Sequence, residues 1–192
     1  MAVMNSTTQN AIDLVLAESL KSLASTKPID KITIKEITDK AGVIRPTFYN
    51  HFQDKYELLE WITVNELFNP VDPLISNGML KEGVTFILTA MEKEKEFYKK
   101  AILLEGQNNF NEIFHRCVRN SLLKYIDISH LEDLKKYSWV SNTTAADFVA
   151  HAVTYVVVEW IKGDMSIPVD ELTDVYLKFF QGSIMELVKS EG

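Results

Sequence analysis

Between Thr33 and Phe52 the chain carries a start signal, a stop signal and a second start signal, in a span with room for only two brief helices. Thr33 precedes Glu36 by three residues, the spacing at which each side chain bonds the other residue's free backbone N–H at a helix start. Ile34, Ile37 and Ala41 then share one helical face. Gly42 supplies a residue able to take positive φ in a tight turn. Pro46 suits the first turn of the next helix, where an N–H would have no partner anyway. Phe48 and Phe52 lie four apart and should anchor that helix to a core, with Pro46, Thr47 and Asn50 turned roughly the other way. Arg45 and Tyr49 form a second pair four apart beside the anchor. Two short helices joined by a glycine turn, the second polar outside and aromatic inside, outline a helix-turn-helix. The second helix of such a unit fits the major groove and meets base edges with its N-terminal residues.

The flanks extend this into a helical chain. Ile12, Leu16, Leu20 and Leu23 place an apolar stripe on a first helix beginning near Ser6–Thr8, stopped by Ser25-Thr26-Lys27-Pro28. Asp54, with Glu57 three residues on, caps a fourth helix carrying Leu58, Leu59 and Ile62 inward. Two prolines in Asn69-Pro70-Val71-Asp72-Pro73 predict the domain boundary, giving a head over 6–68 and a body over 74–192. In the body, helices are expected from Leu80 to Lys93, Glu94 to Leu104, Asn109 to Tyr125 and Thr143 to Lys162, the last closed by Gly163. A final helix from Pro168 should run to about Lys189, and 127–142 reads as irregular with room for one short helix. With 7 glycines and 5 prolines in 192 residues, turn formers are too few for a many-stranded sheet, so the fold expected is all-α.

Charge and cysteine content narrow the chemistry. The net charge is −7, which taken alone opposes binding to a polyanion. Within 31–55, however, Lys31, Lys35, Lys40, Arg45 and Lys55 outnumber Glu36, Asp39 and Asp54, so the acidity sits mainly in the rest of the chain. Cys117 is the sole cysteine, leaving no internal disulfide and no multi-cysteine metal site. No uninterrupted apolar run reaches the ~18 residues of a membrane span. Met1 to Asn10 is polar and lacks the pattern of a signal peptide, so a cytoplasmic protein is expected. No two glycines fall close enough for a phosphate loop. Glu112-Ile113-Phe114-His115 has the E-x-x-H spacing of di-iron bundles but lacks a credible second copy, so neither metal, cofactor nor enzymatic activity is expected. Phe86, Phe97, Tyr98, Phe110, Phe114, Trp139 and Tyr155 are read as core in preference to a ligand box.

The segment from Ile32 to Val43, followed by Thr47-Phe48-Tyr49-Asn50-His51-Phe52-Gln53-Asp54-Lys55-Tyr56-Glu57-Leu58-Leu59, closely resembles the DNA-binding domain of the TetR family of bacterial regulators. The resemblance covers about residues 8–62 and implies a sequence-specific transcriptional regulator on a palindromic operator. Arg45 is the expected base reader, through bidentate bonding to guanine, and Lys35 can reach a base or a phosphate. Tyr49 is expected at the DNA surface and Pro46 against a thymine methyl. Thr33, Thr47, Asn50, His51 and Lys55 are expected phosphate contacts, which set register without reading sequence. One residue departs from the family's pattern: Ile44 stands where a small polar cap is usual.

In the body the resemblance is one of architecture and implies a homodimer holding an effector, either a small molecule or a protein, with repression the commoner role. The closing helices suggest Val149, Val153, Val156, Trp160, Val175, Phe179, Ile184 and Leu187 as the dimer interface. The stretch Val158-Glu159-Trp160-Ile161-Lys162-Gly163-Asp164 before Pro168 resembles the subgroup that includes activators of dihydroxyacetone kinase operons, some of which answer to a protein partner. The rival classes are a helical metal enzyme and an interaction adaptor without DNA binding.

Overall fold

A computed structural model describes residues 2–106, 109–129, 132–134 and 136–181, with side chains from 11 to 178 apart from that of 134. Ten α-helices make up most of it, with no strand among the described residues. The first, α1 (Ala2–Ala24), starts earlier than its apolar stripe suggests, because helix extends N-terminally through a polar segment. Leu16 and Leu20 are fully buried, as the stripe requires. A 3-10 turn at Ile29–Lys31 leads to α2 (Ile34–Ala41). The capping box is formed in full: Thr33 Oγ1 accepts from the Glu36 N–H at 3.3 Å, and the Glu36 carboxylate accepts from the Thr33 N–H at 2.9 Å. Gly42 takes φ 69° and ends α2, its N–H bonding Asp39 O while the Val43 N–H bonds Thr38 O at 3.0 Å. Those two bonds satisfy carbonyls that a helix end leaves open.

Next, α3 (Arg45–His51) begins after Ile44 and ends at Phe52. Asp54 starts α4 (Lys55–Ile62) by accepting from the Tyr56 and Glu57 N–H groups, both at 2.8 Å. The expected break near Asn69–Pro73 is absent as a break. Instead α4 runs into a π-helical turn at Thr63–Phe68, a 3-10 turn at Asn69–Val71 and then α5 (Asp72–Ser76). Pro70 and Pro73 each stand at the start of a helical turn, where no N–H is needed, so they re-aim the chain without straightening it. Side-chain donors serve carbonyls along this widened stretch: Thr63 Oγ1 bonds Leu59 O at 2.8 Å and Asn65 Nδ2 bonds Trp61 O at 3.0 Å.

The body comprises α6 (Leu80–Lys93), α7 (Lys95–Ala101), α8 (Phe110–Leu122), α9 (Asn142–Lys162) and α10 (Val169–Gln181). Between α8 and α9 a 3-10 turn at Glu132–Leu134 is the one short helical piece among the described residues. Helix α8 packs most extensively on α9, and α10 packs on α6. By length and composition α9 could span a bilayer, although polar residues interrupt its apolar runs; here it lies against α8 and α7 with about two-fifths of its most apolar window buried. After α9 the left-handed backbone falls on Asp164 (φ 60°) and Met165 (φ 49°), not on Gly163 (φ −75°). Lys95 and Lys99 hold the Asp164 carboxylate at 2.9 and 2.8 Å.

Buried side chains from Leu16 in α1 to Leu172 in α10 form one connected core. Within it, Lys21 of α1 lies almost fully inside, its ammonium 2.7 Å from Glu18, 3.0 Å from Glu66 and 3.4 Å from Glu94. Burial pushes the Lys21 pKa down, but the bonds to Glu18 and Glu66 and the field of Glu94 outweigh it and hold the group above its usual value. Burial raises Glu66 against the pull of Lys21. This cluster ties α1 to the π-helical turn and to the junction of α6 and α7.

Candidate nucleic-acid interface

Helix α3 is held from behind and open in front. Phe48 is fully buried and Phe52 nearly so; their rings lie 5.9 Å apart, and Phe52 meets Trp61 of α4 edge-on at 6.1 Å. Arg45, Pro46, Tyr49 and Asn50 are exposed on the outer side, with Thr47 half-buried between them. The Arg45 guanidinium reaches the Tyr49 hydroxyl at 3.4 Å and lies 6.0 Å from its ring centre. A planar cation and a phenol therefore stand together at the surface, with no carboxylate among the described residues bonded to the guanidinium. That leaves the guanidinium fork able to face a guanine edge.

The remaining expected DNA contacts divide into two groups. Lys35 is exposed and pairs with Asp39 at 2.5 Å, an exchangeable bond on the helix surface. Thr33, His51 and Lys55 are committed to the fold. The Thr33 hydroxyl donates to Glu36 at 2.8 Å and completes the cap. His51 is turned inward, 8 % exposed, with Nδ1 2.6 Å from the Asp13 carboxylate of α1. Lys55 donates to Asp30 O at 2.6 Å and Ile32 O at 2.8 Å, fastening the chain before α2 to the start of α4. Burial lowers the Lys55 pKa from its usual value. In His51 and Lys55 the spacing that marks a DNA-binding head also marks the bonds that hold the head together, and the sequence does not separate the two uses.

Ile44 occupies the cap position of α3, makes no side-chain cap bond and is 68 % exposed.

In the body the expected interface residues take other places. Trp160 is 3 % exposed and its indole N–H bonds Ile167 O at 2.9 Å, so it belongs to the core of one chain. Val149, Val153 and Val156 line a partly open cavity. Val175 is exposed, the side chain of Phe179 is outside the described ones, and Ile184 and Leu187 lie outside the described residues. The outward face of α9 carries Phe148 (75 % exposed), Ala152, Tyr155 (68 %) and Glu159 instead. In this chain the apolar character of Val149, Val153 and Val156 serves the cavity.

That cavity measures about 190 Å³ and lies among α6, α8, α9 and α10. Phe68, Leu88, Phe114, Val153, Leu172 and Tyr176 represent its wall, and no charged side chain among the described ones lines it. Phe114 thus serves both core and cavity, Phe97, Tyr98 and Phe110 are core, and Phe86, Trp139 and Tyr155 are exposed. The E-x-x-H motif on α8 meets a histidine and not a carboxylate: His115 Nε2 is 3.0 Å from His151 Nδ1. Among the described residues no three ligating side chains gather as a metal site would need. Burial raises the Cys117 thiol to about 12, which makes it unreactive.

Residues 18–62 match the family described as bacterial regulatory proteins, tetR family, and residues 79–182 match that described as transcriptional regulator C-terminal region. The chain is 27 % identical over 142 residues to the HTH-type dhaKLM operon transcriptional activator DhaS of Lactococcus lactis subsp. lactis (strain IL1403), covering 71 % of this chain and 74 % of that one. Among solved structures, the dihydroxyacetone kinase operon activator DhaS is similar at a TM-score of 0.61 and 23 % identity, over 93 % of this chain and 98 % of that one. NalD, the secondary repressor of the MexAB-OprM multidrug efflux pump in Pseudomonas aeruginosa, is similar at 0.59 and 16 % identity, over 90 % and 96 %. At those identities the two structures speak for the fold.

Proposed function

The chain belongs to the TetR family of bacterial transcriptional regulators, and on that premise we propose that it binds a palindromic operator as a homodimer through α3 and is controlled by a small uncharged apolar effector. The observation that carries the DNA contact is the outward Arg45–Tyr49 pair, held in place by buried Phe48 and Phe52. Arg45 reads a base pair, Tyr49, Pro46, Thr47, Asn50 and Lys35 complete the contact, and Thr33, His51 and Lys55 act chiefly by shaping the head, with any phosphate contact secondary. A mobility-shift assay on the chain's own promoter region tests this. Specific retention by the wild type is expected, and specific binding kept by both Arg45→Ala and Tyr49→Ala overturns the assignment.

The dimer forms on the outward face of α9, around Phe148 and Tyr155, continued by Val175 of α10. Two-fold pairing there sets two α3 helices toward half-sites about one helical turn apart. Phe148→Asp should give a monomer by light scattering; an unchanged dimer rejects this face.

The cavity suits the effector because its wall is apolar and uncharged. At about 190 Å³ it exceeds the ~150 Å³ of an engineered apolar cavity that holds benzene. Phe68 carries the signal. It lines the cavity and ends the π-helical turn continuous with α4, while Glu60 of α4 is bonded to Arg116 of α8 at 2.6 and 3.0 Å. An occupant that favours one packing of Phe68 and α8 shifts α4, and with it the spacing of the two heads. Thermal shifts with small aromatic and branched-chain ligands, absent in a cavity-filled Val153→Phe variant, test the cavity.

Repression is the first reading of sign, since a dimer seated on a promoter blocks transcription by occupancy alone. The likeness to an activator favours activation as the second, together with control by a protein partner. Deleting the gene decides: transcripts rise for a repressor and fall for an activator. The setting is the cytoplasm, where the operator is.

A further inference from the structure

We propose that Ile44 is a specificity-determining residue that reads the 5-methyl group of a thymine beside the base pair read by Arg45. The proposal rests on the reading of α3 as the helix that faces DNA.

The three helix starts from α2 to α4 carry the argument. Thr33 caps α2 with a complete reciprocal box, and Asp54 caps α4 with bonds to two N–H groups. Between them α3 starts on Ile44, whose side chain makes no cap bond and whose backbone is extended at φ −89°, ψ 154°. A serine, threonine or aspartate there would satisfy a free N–H of the first turn. Isoleucine does nothing for the helix start, and at 68 % exposed it does little for the core. Its place along the chain is specific, however. Ile44 and Pro46 flank Arg45, and all three are exposed at the N-terminal end of the helix whose first residues meet base edges.

The major groove limits what such a side chain can contact favourably. Donors and acceptors line the base edges, and the thymine 5-methyl group is the one apolar feature on offer. A branched aliphatic side chain against that methyl removes both surfaces from water and makes no demand for a hydrogen bond. Cytosine at the same place presents an amino group and no methyl, so the contact discriminates between the two pyrimidines.

The test uses the full-length chain and a duplex selected by it from a randomised library. Each thymine of the selected site is replaced in turn by deoxyuridine, which removes the methyl and leaves every hydrogen-bonding group in place. One symmetric thymine pair should weaken wild-type binding by roughly fourfold per half-site, about fifteenfold for both, the effect of one buried methyl on each side. Ile44→Ser should lose a similar factor on the thymine duplex and become indifferent to the deoxyuridine change, while its melting temperature stays level or rises because serine restores the cap. The proposal is overturned if no thymine is sensitive in the wild type, or if Ile44→Ser keeps the same sensitivity. Arg45→Ala separates the two readings. If Arg45→Ala abolishes specific binding while Ile44 and the methyls prove neutral, only the Ile44 proposal fails. If Arg45→Ala and Tyr49→Ala both leave specific binding intact, the DNA-facing reading of α3 fails with it.

Discussion

The head and the body of this chain differ in how completely their interiors are filled and fixed. In the head, side chains bond to backbone or to each other at nearly every junction: Thr33 with Glu36, Asp54 with two N–H groups, Lys55 with two carbonyls and His51 with Asp13. In the body an apolar mass is left incompletely filled, with a cavity of about 190 Å³ among four helices. Polar bonds have direction, and they fix α3 to one position. Apolar packing around a void has none, and permits alternative arrangements of similar energy when the void is occupied. A reader of DNA needs the first property and a sensor needs the second. The Lys21 cluster joins the two regions, with one cation shared among carboxylates from both.

The largest effect that sharpens this contrast is loss of DNA recognition with the fold intact. Arg45 is exposed and supports nothing in the core, so Arg45→Ala should leave the melting temperature unchanged. A lost bidentate contact costs about 1–3 kcal/mol per half-site, and both half-sites lose it in a symmetric complex. Specific affinity should fall a hundredfold or so in fluorescence anisotropy, with non-specific binding little altered. If non-specific binding falls equally, Arg45 is a phosphate contact and the head reads sequence elsewhere.

Next in size is Lys21→Met, which breaks the link between the regions. The ammonium is 8 % exposed and holds Glu66 and Glu94, which without it face each other across the junction. Because both carboxylates keep some solvent contact, the cost should be about 2 kcal/mol, below that of a fully buried pair. Urea denaturation measures it. Equal stability would show that the Lys21 cluster contributes nothing net to holding head and body together.

The same contrast explains what was legible before the fold was known. Capping boxes, glycine turns and proline starts act over a few residues, so α2, α3 and α4 could be bounded from Thr33, Gly42, Pro46 and Asp54. The long helices of the body were legible too, from periodicity. Their orientation was not. Which side of α9 faces inward depends on where α8 and α6 lie, and Val153 and Phe148 are equally apolar in a sequence. The helical course through Asn69–Pro73 was not legible for a related reason: proline ends a helix or begins a turn according to what stands before it, and a π-helical turn has no sequence mark.

A smaller, stabilising change is expected in the body. Thr154 lies buried in α9, and its hydroxyl finds no partner among the described residues. Thr154→Val keeps the shape and removes the unsatisfied group, so stability should rise by about 1 kcal/mol. Calorimetry checks it. A fall would show that the hydroxyl is bonded in solution, by water.

Acid provides the finest comparison, because each region has a carboxylate held at about 2. Glu36 is lowered to about 2 by the Lys27 ammonium and by the Thr33 N–H and hydroxyl. Asp164 is lowered to about 2 by Lys99 and Lys95. A carboxylate whose folded pKa lies below its unfolded value stabilises the fold above the unfolded value, and that share disappears as pH falls through the folded one. For Glu36 the window runs from about 4.5 down to about 2, and for Asp164 from about 3.8 down to about 2. Glu36→Gln should therefore be less stable than wild type at neutral pH, the gap closing as the pH drops through the first window. Asp164→Asn should show the same closure, beginning lower. The two carboxylates share no partner, so the double variant should lose the sum. Urea midpoints measured from pH 7 to pH 2 separate the contributions, and a gap that stays constant for Glu36→Gln would mean that its partners hold glutamine as well as glutamate. In that case the α2 cap is a matter of hydrogen-bond shape, and the directional bonding that distinguishes the head does not depend on charge.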